Sequence, residues 1–221
     1  PPQKMKATTP LGRIVPTCAS VTKVTLLALI AGAGISSGAT FLTSITLTNA
    51  TGNEANLTGL VLDVYSVDST HLLFQAINGS GDSSAAIDSI YFQDDGGLFS
   101  SIAFSAADST GTVSYVVGGQ PPNPPGVGSF NVAFSFDASD SANRVDDGEA
   151  AGFIATTNNP IGDSIDLSEF KVAYHMQSLG AEGEGSDTYV GDGPENIPIP
   201  EPAAATLGLA GALLLLRRRR I

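Results

Sequence analysis

The side chains with the clearest potential for chemistry are carboxylates. Asp137 and Asp140 are followed closely by Asp146, Asp147 and Glu149. Oxygen ligands crowded onto one loop are what Ca²⁺ requires, about six to eight of them at ~2.3–2.6 Å. The spacing does not reproduce a helix–loop–helix calcium motif, since no D-x-D-x-D-G core with Glu at the twelfth position is present. These five residues are therefore a candidate Ca²⁺ site, weighed against a solvated acidic turn in which Asp bonds local backbone. No other cofactor is implied. Paired carboxylates could also serve glycoside hydrolysis, but the acids cluster at turns.

Nucleophilic catalysis finds little material. His71 and His175 are the only histidines, and no Gly-x-Ser-x-Gly elbow offers a serine to either. His175 falls on the strand face opposite Tyr174 and Met176. The single cysteine, Cys18, lies in a segment read below as a removable leader, which leaves no disulfide, cysteine nucleophile or thiolate metal site. Asn49-Ala50-Thr51, Asn56-Leu57-Thr58 and Asn78-Gly79-Ser80 match glycosylation sequons and are read as turn chemistry. The reading is non-enzymatic.

Elements that would position these residues are strands. Alternating apolar and β-branched residues run through 41–48, 60–67, 71–77, 86–93, 99–104, 112–117, 131–136, 152–157 and 170–177, each bounded by Gly, Asn, Asp, Ser or Pro. In the first, Phe41, Thr43, Ile45 and Leu47 share a face. Asp68-Ser69-Thr70 joins the second and third as a hairpin. Four prolines within 118–126 remove four ladder donors and require an exposed loop. Without helices between strands, pairing must be mostly antiparallel. The expected fold class is all-β, an antiparallel β-sandwich of about nine strands with jelly-roll or immunoglobulin-like topology. No repeat of the length needed for a β-helix is found.

The domain, residues 40–179, is followed by residues 180–199, which read from their Gly, Glu, Asp, Ser and Pro content as a flexible acidic linker. Residues 40–199 hold Arg144 and Lys171 against 21 of the chain's 22 acidic residues, a formal charge of −19. That surface repels nucleic acid and anionic lipid and attracts divalent cations or basic partners. Absence of tryptophan also weighs against a stacking platform for bases or sugars.

Both ends of the chain read as address labels. Lys6, Arg13 and Lys23 precede an apolar run, Val24 to Ala31, and Ser37-Gly38-Ala39 supplies small residues. Residues 1–39 are thus a signal peptide with a helical apolar core, cleaved by signal peptidase between Ala39 and Thr40, with Met5 as candidate initiator. Residues 200–221 have three parts: Pro200-Glu201-Pro202, the uncharged run Ala203 to Leu216, and Arg217, Arg218, Arg219 and Arg220. The prolines keep the triplet extended. At ~1.5 Å per residue the apolar helix spans roughly 21 Å, short of a ~30 Å bilayer core. The arginines would hold the cytoplasmic side as a stop-transfer cluster and reach the interface with their long side chains.

This tripartite tail resembles the PEP-CTERM sorting signal of Gram-negative bacteria, whose membrane-embedded processing enzyme is an exosortase. Pro200, Glu201 and Pro202 match its motif, Ala203 to Leu216 its transmembrane helix and Arg217 to Arg220 its basic end. Leu73 to Asn78, Ile90 to Asp95, Phe134 to Asp137, Ala173 to Gly180 and Ser186 to Val190 also look like recurring ectodomain phrases of such proteins. The resemblance implies export across the inner membrane, transient membrane anchoring and then a cell-surface or extracellular location. It further implies an exosortase-type partner and association with exopolysaccharide, as in a biofilm matrix. The expected function is that of a non-enzymatic structural protein. A Ca²⁺-dependent carbohydrate-binding module is the alternative, and a carboxylate-based glycoside hydrolase a second one.

Overall fold

The computed structural model describes residues 38–52, 56–116, 123–136, 143–179 and 183–200. The alternating segments form β1 (Thr40–Thr46), β2 (Thr48–Asn49), β3 (Leu60–Ser66), β4 (His71–Asn78), β5 (Ala86–Asp94), β6 (Phe99–Thr110), β7 (Tyr115–Val116) and β8 (Val132–Phe136). They continue as β9 (Ala150–Thr157), β10 (Ser164–Ile165), β11 (Phe170–Leu179), β12 (Gly185–Asp192) and β13 (Ile197–Pro198). Nine of these run five residues or longer, and no α-helix occurs among the described residues. The fold is all-β.

Strands β1-β3-β4-β9-β6 form a five-stranded sheet, here sheet A, and β2-β12-β11-β5-β8-β7 a six-stranded sheet B. Strands β10 and β13 make a separate two-stranded ribbon. Every strand pairing is antiparallel, as short connections without helices require. The β3–β4 hairpin turns where expected. Asp68 Oδ1 accepts the Thr70 and His71 N–H groups at 2.7 and 2.9 Å, and the Thr70 amide is the main reason its carboxyl lies below the usual aspartate range.

Alternation sends one face of each sheet into a shared core. Leu62, Val64, Leu72, Phe74, Phe153 and Ala155 from sheet A meet Ile90, Phe92, Val172, Tyr174 and Met176 from sheet B. Rings join the two layers directly. Phe92 lies 5.9 Å from Phe74 and 5.2 Å from Phe153, and Phe134 lies 4.7 Å from Phe153. Burying such rings is the largest favourable term available to a domain with no disulfide. Tyr174 is fully buried, and its hydroxyl donates to the Val61 carbonyl of sheet A at 2.8 Å. A polar tie thus crosses the apolar core.

Three expectations need correction. The first strand contains a bulge between Phe41 and Thr43, and an extra residue in a strand reverses the faces beyond it. Phe41 therefore leaves the face it was expected to share with Thr43, Ile45 and Leu47. It lies 49% exposed, edge-on to Tyr65 at 5.5 Å. Of segment 112–117 the described residues place only Tyr115 and Val116 in a strand, β7; before it the Thr112 N–H donates to Glu149 Oε1 at 3.4 Å and the Ser114 N–H to Asn143 O at 3.0 Å. Residues 180–199 are not a linker over their described length. Strand β12 pairs with β11 from Gly185↔Leu179 to Asp192↔Lys171, and Tyr189 is fully buried.

Two glycines are dictated by close approach. A Cβ on Gly152 would lie 2.6 Å from the Asp108 carbonyl oxygen, where the end of β6 curls over β9. A Cβ on Gly59 would collide with the Gly79 carbonyl oxygen, and Gly59 also has a φ of +84°, a region that glycine alone enters without cost.

Candidate functional site

Strand β1 opens at Thr40, the residue after the expected cleavage bond. At the other end the chain stays fastened to the domain as far as Ile199. The Gly193 N–H donates to Phe170 O at 2.8 Å, and the Leu167 N–H donates to Pro194 O at 3.0 Å. In the ribbon, Ile165 faces Ile197 and Ser164 faces Pro198. Pro198 fits because a two-residue edge strand tolerates a missing donor. The Ile199 N–H then bonds Asp163 O at 2.9 Å. Ile197 is buried, Ile199 packs on the core, and Pro200 is exposed. Strand β1 also runs close to β12 and β13. Glu201, Pro202 and Arg217 to Arg220 lie outside the described residues, as do Ala203 to Leu216. Among the described residues no helix is long and apolar enough to cross a membrane.

The acidic cluster divides. Asp137 and Asp140 lie outside the described residues. Asp146, Asp147 and Glu149 occupy the turn between Val145 and β9, where Gly148 takes a φ of +81°. Carboxylate oxygens of Asp147 and Glu149 are engaged by backbone. Asp147 Oδ1 accepts the Gly81 N–H at 2.8 Å, Glu149 Oε2 the Asp146 N–H at 3.1 Å, and Glu149 Oε1 the Thr112 N–H. The turn is locked on its other side by Asn78, whose side-chain amide donates to Ala85 O and Val145 O at 2.8 and 3.0 Å. Among the described residues no three His, Cys, Asp or Glu side chains converge as a metal-ligand group.

The histidines sit in different sheets. His71 begins β4, with Nδ1 at 2.9 Å from both Asp68 oxygens. His175 lies on the outer face of sheet B, opposite in sense to Tyr174 and Met176. Cross-strand register aligns Thr188, His175, Ser89 and Ser135 in one polar row. Asp88 joins this row from a bulge, with Oδ2 at 3.5 Å from His175 Nδ1. Ser89 Oγ donates to Asp88 Oδ2 at 3.1 Å. A serine nucleophile needs its hydroxyl on the imidazole base, whereas Ser89 is turned to the carboxylate. Sequence reading missed this buried cluster, because adjacent Asp-Ser carries no motif and the bulge that aims both outward is invisible in composition.

Turn chemistry accounts for two of the three sequons. Asn78 is fully buried. Asn49 donates through Nδ2 to buried Asp187 at 2.9 Å while its Oδ1 accepts the Thr51 and Gly52 N–H groups at 3.0 and 2.6 Å. Asn56 is exposed. Comparison of the chain with protein-family models, with curated proteins and with solved structures found no match.

Proposed function

We propose that this chain is an exported structural protein of the cell surface or extracellular matrix, anchored briefly by its tail and then processed by an exosortase-type enzyme. The observation that carries the reading is the order Pro-Glu-Pro, uncharged apolar run and four arginines in residues 200–221. The two sheets on one core are read as a β-sandwich with jelly-roll or immunoglobulin-like connections. A leader helix and a transmembrane helix would flank it before processing.

A non-enzymatic role is supported by where the polar groups go. Asp147 and Glu149 hold turns, Asp187 holds the Asn49–Gly52 loop, and Ser89 serves Asp88. The alternatives make separate demands. A Ca²⁺-dependent carbohydrate-binding module must be retained by a polysaccharide column and released by chelator, whereas a hydrolase must liberate reducing sugar.

The test replaces Pro200, Glu201 and Pro202 together by alanine in the producing cell. Expected is accumulation of the uncleaved chain in the inner membrane and its loss from washed polysaccharide matrix. Unchanged delivery to the matrix would overturn the proposal.

A further inference from the structure

Residues 193–199 lie as a strap across the segment that leads into β11. Gly193 passes so close to Leu167 that a Cβ on it would collide with the Leu167 carbonyl oxygen. Asn196 turns the chain with a φ of +48°, a region asparagine enters more readily than most residues. Ile197 is then buried opposite buried Ile165, and the Ile199 N–H closes the strap on Asp163 O at 2.9 Å. A ribbon of two residues a side is the kind of element that opens locally while the rest of a domain stays folded. Between Ile199 and Ala203, where the uncharged run begins, stand only Pro200, Glu201 and Pro202. An extended chain covers those four steps in about 13–14 Å at most. Headgroups take about 5–7 Å of that, so the remainder is narrower than the ~10 Å between two packed layers of protein.

We propose that this strap must leave β10 before the Pro200-Glu201-Pro202 segment can be cut, so that the docked state shields the processing site. The inference rests on the tail reading above and adds its regulation. An extended peptide is commonly gripped through its main-chain hydrogen bonds, and in the docked strap the Ile199 N–H is already spent on Asp163 while Ile197 and Pro198 are paired with β10. Release as far as Gly193 frees six more steps of chain, about 20–22 Å when extended, and lifts the folded body clear of the membrane. Every bond the strap makes lies on the domain side of the triplet, so after the cut the strap redocks and the mature end is again fastened.

The test locks the strap in the full chain, expressed in the producing cell. Ser164 and Pro198 are partners across the ribbon, and residues opposed in an antiparallel pair lie about 4.5–5.5 Å apart at Cα, inside the ~4.4–6.8 Å range of a disulfide. A Cys18→Ser chain carrying Ser164→Cys and Pro198→Cys, oxidised during export, should stay whole in the membrane, while each single-cysteine chain is processed. Reductant should restore processing of the locked chain. A flexible Gly/Ser spacer of about ten residues between Ile199 and Pro200 should restore it with the disulfide intact. Ile197→Ala, which loosens the strap without touching the triplet, should be processed about tenfold faster or more in a pulse-chase. Locked chains cut as fast as the single-cysteine chains, or Ile197→Ala chains no faster than the parent, would overturn the proposal. A parent chain that is never cut would remove the tail reading, and the strap's role with it.

Discussion

Sheets A and B share a core but treat water differently. Among the described residues sheet B is the shorter-edged of the two. Its edges are two-residue strands, and part of its outer face is roofed by the loop before β8, which sets Phe130 at 6.2 Å from Tyr91 and buries Ala173. Thr188 Oγ1 fastens that loop by donating to Pro125 O at 3.0 Å. Sheet A ends in the longer strands β1 and β6, the latter with shifts of register between Phe99 and Ser101 and between Ser105 and Thr110, and shows Phe41 to solvent. The difference teaches that one sheet is protected by cover and short edge strands, while the other carries longer edge strands whose ladders are interrupted by shifts of register.

Substitutions can break or sharpen this contrast. The largest effect is expected at the ring joining the sheets. Phe92→Ala should cost about 3–5 kcal/mol, whereas Phe41→Ala on the open face should stay within about 0.5 kcal/mol. Urea unfolding of the two variants checks this, and equal losses would break the contrast. Next is Gly152→Ala, for which overpacking against Asp108 predicts a loss of about 1–3 kcal/mol. Gly162 has open space around its Cβ position, so Gly162→Ala should be near neutral in the same melts. Tyr174→Phe comes third. Removing the donor to Val61 O should cost about 1–3 kcal/mol, seen as a lower thermal midpoint with an unchanged far-ultraviolet spectrum.

The smallest effects concern pH. Burial raises the Asp63 carboxyl above its usual value of 3.8, against hydrogen bonds from Ser44 and Tyr65. Its stabilising contribution is therefore present below 3.8 and lost as pH rises through the raised value. Asp68 is shifted the other way, so its contribution is present above 3.8 and lost as pH falls. Across that range, Asp63→Asn should gain on the parent as pH rises, and the deficit of Asp68→Asn should shrink as pH falls. Melting temperatures across an acid-to-neutral series measure both; parallel curves would contradict the assignment.

Legibility in the sequence followed the same division. Strands β3, β4, β5 and β11 were readable because β-branched and aromatic residues alternate over seven residues or more, and the Asp68 turn announces its own geometry. Phe41 misled because a bulge shifts phase by one residue without leaving a compositional trace. Strand β12 was hidden by its setting: Gly, Glu and Asp around it suggested a linker, although Thr188-Tyr189-Val190 carries strong β-propensity. Its Asp187 looks like a solvated charge and is instead 2% exposed, held by Asn49 and Thr51 from more than a hundred residues away. Such long-range pairing cannot be read from local pattern.

The consequence for function is a change in how the tail is presented. Composition suggested a loose tether before Pro200, but Ile197 and Ile199 are packed and Pro200 follows the last ladder bond directly. The central claim, that this folded body is delivered by a removable tail, is tested most directly by C-terminal mass spectrometry of the exported protein from cells with and without the processing enzyme. The account predicts a terminus at or near Pro200 to Pro202 only when the enzyme is present. An end still bearing Arg217 to Arg220 in both cell types would contradict it.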